Sequence, residues 1–497
     1  MNKRLNISTA LCVIQAFGSY TRGEPPIAAG RISSAVEVTG VPTATADADR
    51  KEALLEGLSH NRQKQEKSLD FAWFKGVTDK NPLEYKPGEE MVFTLALQNL
   101  SGEIPADRYF LRWERTGDDG IKENGRMPLS VTPFVYKTRI DKPGFVRLYA
   151  EVVDADGKTL NREFTGDKTT PEGQAAANRF EQQPRNLFFD GGAGVDIDTL
   201  QAVPEPPDFD AFWKKQAERL DRVPVEPKLI EMASPNPEVR MYAVEVQCAG
   251  IRPVTGYLTV PKAVDAGAKF PCRLATVGYT DNPIPPPQGA RGDEIRFEIN
   301  AHGMRLPEFG GDDGYYKAFR SEIQSRGHGY AFDPVENADP ETAYFNGMAL
   351  RVKRALQYLK TLPGWDGKKL IASGGSQGGL QTIWAAGSGE GVTLAESAIT
   401  WGCDIGGTEL GRNRGGWHLH WVPALGYYDA VNFAKRVPTS CRVEISRAGL
   451  GDYVCPPSGL AILWNNLSGP KKICWVQGCQ HDYVPPDYDG RDIVREK

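Results

Sequence analysis

Leu370-Ile371-Ala372-Ser373-Gly374-Gly375-Ser376-Gln377-Gly378-Gly379-Leu380 is a short apolar run that breaks into glycines around one serine. It passes at once into Gln381-Thr382-Ile383-Trp384-Ala385-Ala386. The pattern predicts a strand, a sharp turn and a helix, with Leu380, Ile383 and Trp384 at helical spacing and Trp365-Asp366-Gly367 as the turn that leads in. Gly374 and Gly378, two residues on either side of Ser376, let the strand and helix pass closely. A turn of this kind lifts the Ser376 hydroxyl to the carboxyl edge of a sheet and aims the next backbone N–H, that of Gln377, at the same point. With 53 glycines in the chain such strings also arise in ordinary loops, so the flanking strand and helix carry the reading.

A serine hydroxyl needs an adjacent base, usually a histidine oriented by a carboxylate. The chain has 6 histidines, and in the order serine, acid, histidine only His418, His420 and His481 follow Ser376. His481 comes after the strand-like Ile473-Cys474-Trp475-Val476 and a turn at Gly478, which would deliver it to the carboxyl edge as the base. Arg442-Val443-Glu444-Ile445-Ser446 alternates like the preceding strand and runs on to Asp452, the expected acid. Asp404 and Asp429 are rivals in less strand-like settings, while Asp482 reads as a neighbour of the base. The second half of an oxyanion hole should follow an early central strand, Leu274 to Val277. That points to the backbone N–H of Tyr279 in Gly278-Tyr279-Thr280, with a plain strand exit as the alternative.

Arg412 to Leu425, rich in Arg, Gly and Trp, reads as an excursion over the serine, and Trp417, His418 and Trp421 are candidates for lining a substrate pocket. His418-Leu419-His420 has alternate histidines on one face, but no further ligands stand nearby at a zinc-like spacing, so no metal site is expected.

Composition is that of an ordinary globular chain of two or three domains: 497 residues, 40% hydrophobic, 25% charged, net charge -5. No basic run suggests nucleic acid or an anionic membrane. Residues 1–30 resemble a weak signal peptide, with Lys3 and Arg4 ahead of a modestly apolar Ile7 to Phe17, too short to span a membrane; a secreted or periplasmic location is expected. The cysteines are scattered through strand-like segments and read as buried thiols.

Residues 31–67 read as a loosely held leader. From 68 to 165, alternating runs separated by turns such as Lys86-Pro87-Gly88 and Lys142-Pro143-Gly144 predict a small antiparallel β-sandwich. Residues 166–186 read as a linker. From 187 to 497 strands and helices alternate, beginning with a helix after Asp208 as N-cap. Strands are expected at 239–248, 253–260, 272–278, 295–300, 370–373, 396–402, 442–447 and 472–476, and a long helix from Phe345 to Leu362. Such alternation means a mostly parallel sheet covered by helices on both faces.

Gly374 to Gly379, Gly451-Asp452-Tyr453-Val454-Cys455-Pro456-Pro457-Ser458, Gln477-Gly478-Cys479-Gln480-His481-Asp482 and the Gly278-Tyr279 turn together resemble the acetyl xylan esterase and cephalosporin-C deacetylase family of carbohydrate esterases. Phe189-Asp190-Gly191-Gly192-Ala193-Gly194-Val195, Tyr344 to Met348 and Tyr427 to Ala434 extend the resemblance over about residues 187–490, toward longer bacterial members with an N-terminal sandwich. The resemblance implies an α/β-hydrolase fold and a serine esterase that deacetylates polysaccharides or oligosaccharides, without metal or organic cofactor. The triad would be Ser376, Asp452 and His481, the oxyanion hole Gln377 and Tyr279. The chain departs where short members have Arg-Gly-Gln, reading Ala301-His302-Gly303-Met304, where they have His-Gly-Tyr, reading Val277-Gly278-Tyr279, and where they have His-Glu, reading His481-Asp482. These departures touch the family's ring-like oligomer and its narrow pocket. A homo-oligomer is one expectation; the other uses of the sandwich are packing on the main domain and sugar binding. A serine oligopeptidase and a non-catalytic carbohydrate-binding protein are the competing readings.

Overall fold

The computed structural model describes residues 69, 71–100, 104, 107–164, 166–488 and 493–497, so the leader read over residues 1–67 lies outside the described residues. Seven strands come first: β1 (Trp73–Thr78), β2 (Met91–Gln98), β3 (Tyr109–Gly117), β4 (Glu123–Pro128), β5 (Phe134–Thr138), β6 (Gly144–Asp154) and β7 (Phe188–Val195). They form a 3-stranded sheet, β1-β2-β5, and a 4-stranded sheet, β4-β3-β6-β7. All their pairings are antiparallel. Their alternating inward residues, among them Phe74, Phe93, Leu95, Leu111, Leu148 and Val152, meet in one apolar cluster, as the period of two along a strand requires.

Two boundaries differ from the sequence reading. Residues 166–186, expected as a linker, contain a helix, Pro171–Glu181, capped by Thr170 accepting the Gly173 N–H and anchored by buried Phe180. The segment 188–195, expected in the main domain, is instead the edge strand β7, paired to β6 along its length. Its glycines hide the strand character because they carry no alternating side chains. They are there for space: a Cβ on Gly192 would lie 2.5 Å from the Val146 carbonyl oxygen and 3.0 Å from that of Leu450.

The remaining strands are β8 (Pro227–Met232), β9 (Val239–Val246), β10 (Val254–Pro261), β11 (Phe270–Thr276), β12 (Ile295–Asn300), β13 (Trp365–Gly375), β14 (Leu394–Ala398), β15 (Arg442–Gly449), β16 (Lys471–Val476) and β17 (Ile493–Glu496). They build a 10-stranded sheet ordered β17-β16-β15-β14-β13-β11-β12-β10-β9-β8. Pairing is parallel from β12 through β11, β13, β14 and β15 to β16, and antiparallel at both ends. β10 and β16 are buried along almost their whole length, so both faces of the sheet are covered. Among the helices that cover it, Tyr344–Thr361 and Gln377–Gly387 match the expected positions. Asp208 does stand at the N-cap of the helix Phe209–Asp221, but its carboxylate takes the Tyr427 hydroxyl rather than a helix N–H.

The main core is continuous with the N-terminal sheets. Phe145 of β6 belongs to it and stacks on Trp475 of β16, ring centroids 5.9 Å apart. Among the described residues no helix is long and apolar enough to cross a membrane.

Candidate active site

Ser376 sits between β13 and the helix Gln377–Gly387 with φ 56° and ψ -120°. A non-glycine residue in such a conformation costs on the order of 1–3 kcal/mol and is kept only where its surroundings over-determine it. Here they do. The Ser376 N–H donates to the Ala398 carbonyl at 2.9 Å, and its own carbonyl accepts the N–H groups of Trp401 at 3.1 Å and Leu380 at 3.2 Å. Residues 399–401, expected to prolong β14, leave the sheet at Ile399, φ 39°, because they curl over this turn. The flanking glycines are spatial necessities: a Cβ on Gly374 would meet Thr276 Oγ1 at 2.3 Å, and one on Gly378 the Thr276 carbonyl at 2.7 Å.

The expected acid and base meet. His481 Nδ1 lies 3.0 Å from Asp452 Oδ2. The other carboxylate oxygen accepts the backbone N–H groups of Val454 and Cys455, each at 3.0 Å, which fixes the Asp452 side chain in its loop. With Nδ1–H donating to the carboxylate, His481 Nε2 carries the lone pair that a serine proton needs. Burial pushes the His481 pKa down, but the Asp452 hydrogen bond and charge, with Asp482 adding to them, outweigh it and leave the imidazole above its ordinary value. Asp482 thus acts on the imidazole from the next position along the chain.

The rival acids are occupied elsewhere. Asp429 accepts the N–H groups of Asp404, Ile405 and Val431, and Asp404 pairs with Arg412. Cys455 Sγ lies 3.7 Å from His481 Nδ1, and the donor atoms of Asp452, Cys455 and His481 fall within 4.8 Å of one another. Burial holds the Cys455 thiol well above its ordinary pKa, so it stands beside the imidazole as a neutral S–H.

The Gly278-Tyr279 turn lies against the serine: a Cβ on Gly278 would be 3.8 Å from Ser376 Cβ. Sequence reading missed what braces this turn. The Thr280 N–H donates to the Tyr330 hydroxyl at 3.3 Å, and that hydroxyl donates to Gln377 Oε1 at 2.7 Å. Gln381 Nε2 bridges the carbonyls of Val277 and Gln377. His302, fully buried, meets the Thr280 carbonyl through Nε2 at 2.6 Å and the Tyr344 hydroxyl through Nδ1 at 2.8 Å. Burial lowers its pKa to about 3, so it is a neutral linker here. Tyr330 comes from an irregular stretch whose local pattern carries no signal for a contact with residue 377.

Of the three pocket candidates, Trp417 joins an aromatic wall beside the serine. Its ring centroid is 4.9 Å from Tyr279, 4.9 Å from Phe332 and 5.3 Å from Trp401. His418 is exposed, with Nδ1 2.8 Å from the Gly415 carbonyl. Trp421 packs over Gly406 and Gly426, near Val203 and Pro206, and serves to dock the loop.

Comparison with known proteins bears on this site. The family model described as acetyl xylan esterase (AXE1) matches residues 198–404 and 419–494, which include Ser376, Asp452 and His481 and leave out 405–418. The chain is 30% identical over 283 residues to the acetyl esterase Axe7A of Xylanibacter ruminicola, an alignment that takes in 54% of this chain and 61% of that protein. It therefore spans about three fifths of that relative's length. Among solved structures, an acetyl xylan esterase from Paenibacillus sp. R4 is 22% identical, with 58% of this chain and 94% of that one covered and a TM-score of 0.47. Acetyl xylan esterase 1 from Thermoanaerobacterium sp. JW/SL YS485 is 20% identical, covering 58% and 93%, also at 0.47. Because the family model accounts for more than half of the residues, the chain belongs to the acetyl xylan esterase family.

Proposed function

We propose that the protein is a serine carboxylesterase that removes O-acetyl groups from acetylated polysaccharides or oligosaccharides through an acetyl-enzyme. The observation that carries this reading is the 3.0 Å bond between His481 and Asp452, made at the same sheet edge as a serine held on a strained turn. His481 Nε2 takes the Ser376 proton as Oγ attacks the acetyl carbonyl carbon. The carbonyl π electrons move to oxygen, which the N–H groups of Gln377 and Tyr279 receive. Gln377 is suited to this because it opens a helix, whose first N–H groups have no intrahelical acceptor and sit at the positive end of the dipole. Collapse of the adduct expels the sugar alkoxide, which takes the proton from His481. Water then repeats the sequence on the acetyl-enzyme, releasing acetate and restoring Ser376.

The partly buried rings of Tyr279, Phe332 and Trp417, backed by buried Trp401, offer aromatic surface to a sugar ring, and Trp417 lies in the segment that the family match leaves out. Selection among acetylated glycans is assigned to that loop. The resemblance to secreted family members supports a location outside the cytoplasm, where such polysaccharides are met. Acetate release from acetylated xylan, mannan and pectin, with Ser376→Ala beside the wild type, tests the reading. Turnover that survives Ser376→Ala unchanged would overturn it.

A further inference from the structure

Asp190, on β7 of the N-terminal sheet, is fully buried, and its carboxylate has three donors. Arg147, on the neighbouring strand β6, supplies Nε to Oδ1 at 2.8 Å and Nη2 to Oδ2 at 2.5 Å. The third is Gln480 Nε2, 2.6 Å from Oδ2. Gln480 immediately precedes His481, and its backbone N–H closes a turn onto the Tyr483 carbonyl at 3.0 Å. The other end of the ion pair reaches the acid loop: the Arg147 guanidinium lies over the ring of Tyr453, 4.6 Å from its centroid, and Tyr453 immediately follows Asp452. One ion pair, its carboxylate buried and its guanidinium partly exposed, therefore touches the chain neighbours of His481 and Asp452.

Backbone contacts reinforce both grips. Gln477 and Gly192 exchange two hydrogen bonds, each 2.9 Å, between the side-chain amide and the peptide groups. A Cβ on Gly451 would lie 2.1 Å from the Asp190 carbonyl oxygen, so the acid loop rests directly on β7. The loops after β15 and β16 also touch directly, the Gly451 N–H donating to the Cys479 carbonyl at 3.2 Å, and the distance between their tips decides whether Asp452 and His481 meet.

Resting on the esterase reading above, we propose that the Arg147–Asp190 pair is a positioning device for the active site, holding the His481 loop through Gln480 and the Asp452 loop through Tyr453. The N-terminal sheet is then part of the catalytic apparatus and not a separable accessory. A buried ion pair is by itself weak evidence of a stability role, since apolar residues of the same volume often pack as well. What points to positioning here is where its two spare contacts go.

The test is steady-state kinetics on para-nitrophenyl acetate with the full chain, comparing wild type, Ser376→Ala, Gln480→Met, Asp190→Asn and the double variant. Gln480→Met keeps the ion pair and the side-chain length while removing the tether. It is expected to unfold near the wild-type temperature yet lose about tenfold to a hundredfold in kcat, with KM within about twofold of wild type, the pattern of a displaced catalytic group. Asp190→Asn should lose kcat likewise, and the double variant should be no worse than the weaker single, because both act through one tether. Wild-type kcat in folded Gln480→Met, or losses that multiply in the double variant, would overturn the proposal. Should Asp190→Asn fail to fold, Gln480→Met decides alone. Turnover retained by Ser376→Ala would instead strike the esterase reading, so the two failures are told apart.

Discussion

The Tyr330 hydroxyl donates to Gln377 Oε1 at 2.7 Å while accepting the Thr280 N–H at 3.3 Å. One buried phenol thus ties together the two turns that face Ser376. Burial keeps its pKa well above the ordinary value, so it stays a donor throughout the working pH range. Tyr330→Phe keeps the ring stack on Tyr279, 4.2 Å between centroids, and removes only the tie. The expected result is a fall in kcat of about tenfold, with stability lowered by about 1 kcal/mol for the lost hydrogen bonds, read from steady-state kinetics and denaturant melts.

The pH profile should carry the signature of His481. Its pKa is raised above the ordinary 6.5 by Asp452, with a contribution from Asp482, and a protonated imidazole cannot take the serine proton. kcat/KM should therefore climb with pH through a midpoint above 6.5. Asp482→Asn removes one raising charge and should move that midpoint down, by less at high salt because Asp482 is exposed. For stability the sign is opposite. A base whose folded pKa is raised contributes stability that is complete below its unfolded pKa and is lost as pH rises through the folded one. A midpoint below 6.5, or one that Asp482→Asn raises, would contradict this account.

Phe145 is a β6 residue buried in the core of the 10-stranded sheet, where it stacks on Trp475. Phe145→Ala should cost about 3–5 kcal/mol, since it empties a packed site with little freedom to collapse. If the N-terminal sheets and the large sheet unfold as one, the loss appears as a shift of a single calorimetric transition. Two separated transitions, only one of them moved, would show the sheets to be energetically independent.

Trp417 presents its ring beside Tyr279 and Phe332 at 4.9 Å from each. Trp417→Ala should raise KM for acetylated oligosaccharides by about tenfold while leaving an aryl acetate nearly unaffected, because only the longer substrate extends to a stacking surface. Equal losses on both substrates would make the tryptophan a packing residue for the loop.

Much of the site was legible because each member has a local reason for its residue type. Gly374, Gly378 and Gly379 around Ser376 are demanded by contacts of under 3 Å that a Cβ would make. Asp452 follows a strand whose alternating pattern survives in the sequence, His481 follows a short apolar strand-like run, and the histidine count left few rivals. The strand Ile295–Asn300 and the helix Tyr344–Thr361 were similarly plain. β7 was not, because three glycines in Phe188–Val195 erase the alternation that marks a strand. Nor was Trp421, whose docking role depends on the gaps that Gly406 and Gly426 leave across the fold.

By itself the sequence determined the elements and the chemistry each could deliver: a serine on a strand-to-helix turn, an acid and a base at the ends of the last strands, and an aromatic-rich excursion. These follow from residues close together along the chain, where periodicity and turn chemistry act. Only the tertiary structure decided that Asp190 would seat Gln480 beside the base, that Gly192 would lock onto Gln477 from 285 residues away, and that Tyr330 would join the two turns at the serine. Those contacts arise from how buried faces pack, and burial couples residues that no local pattern links.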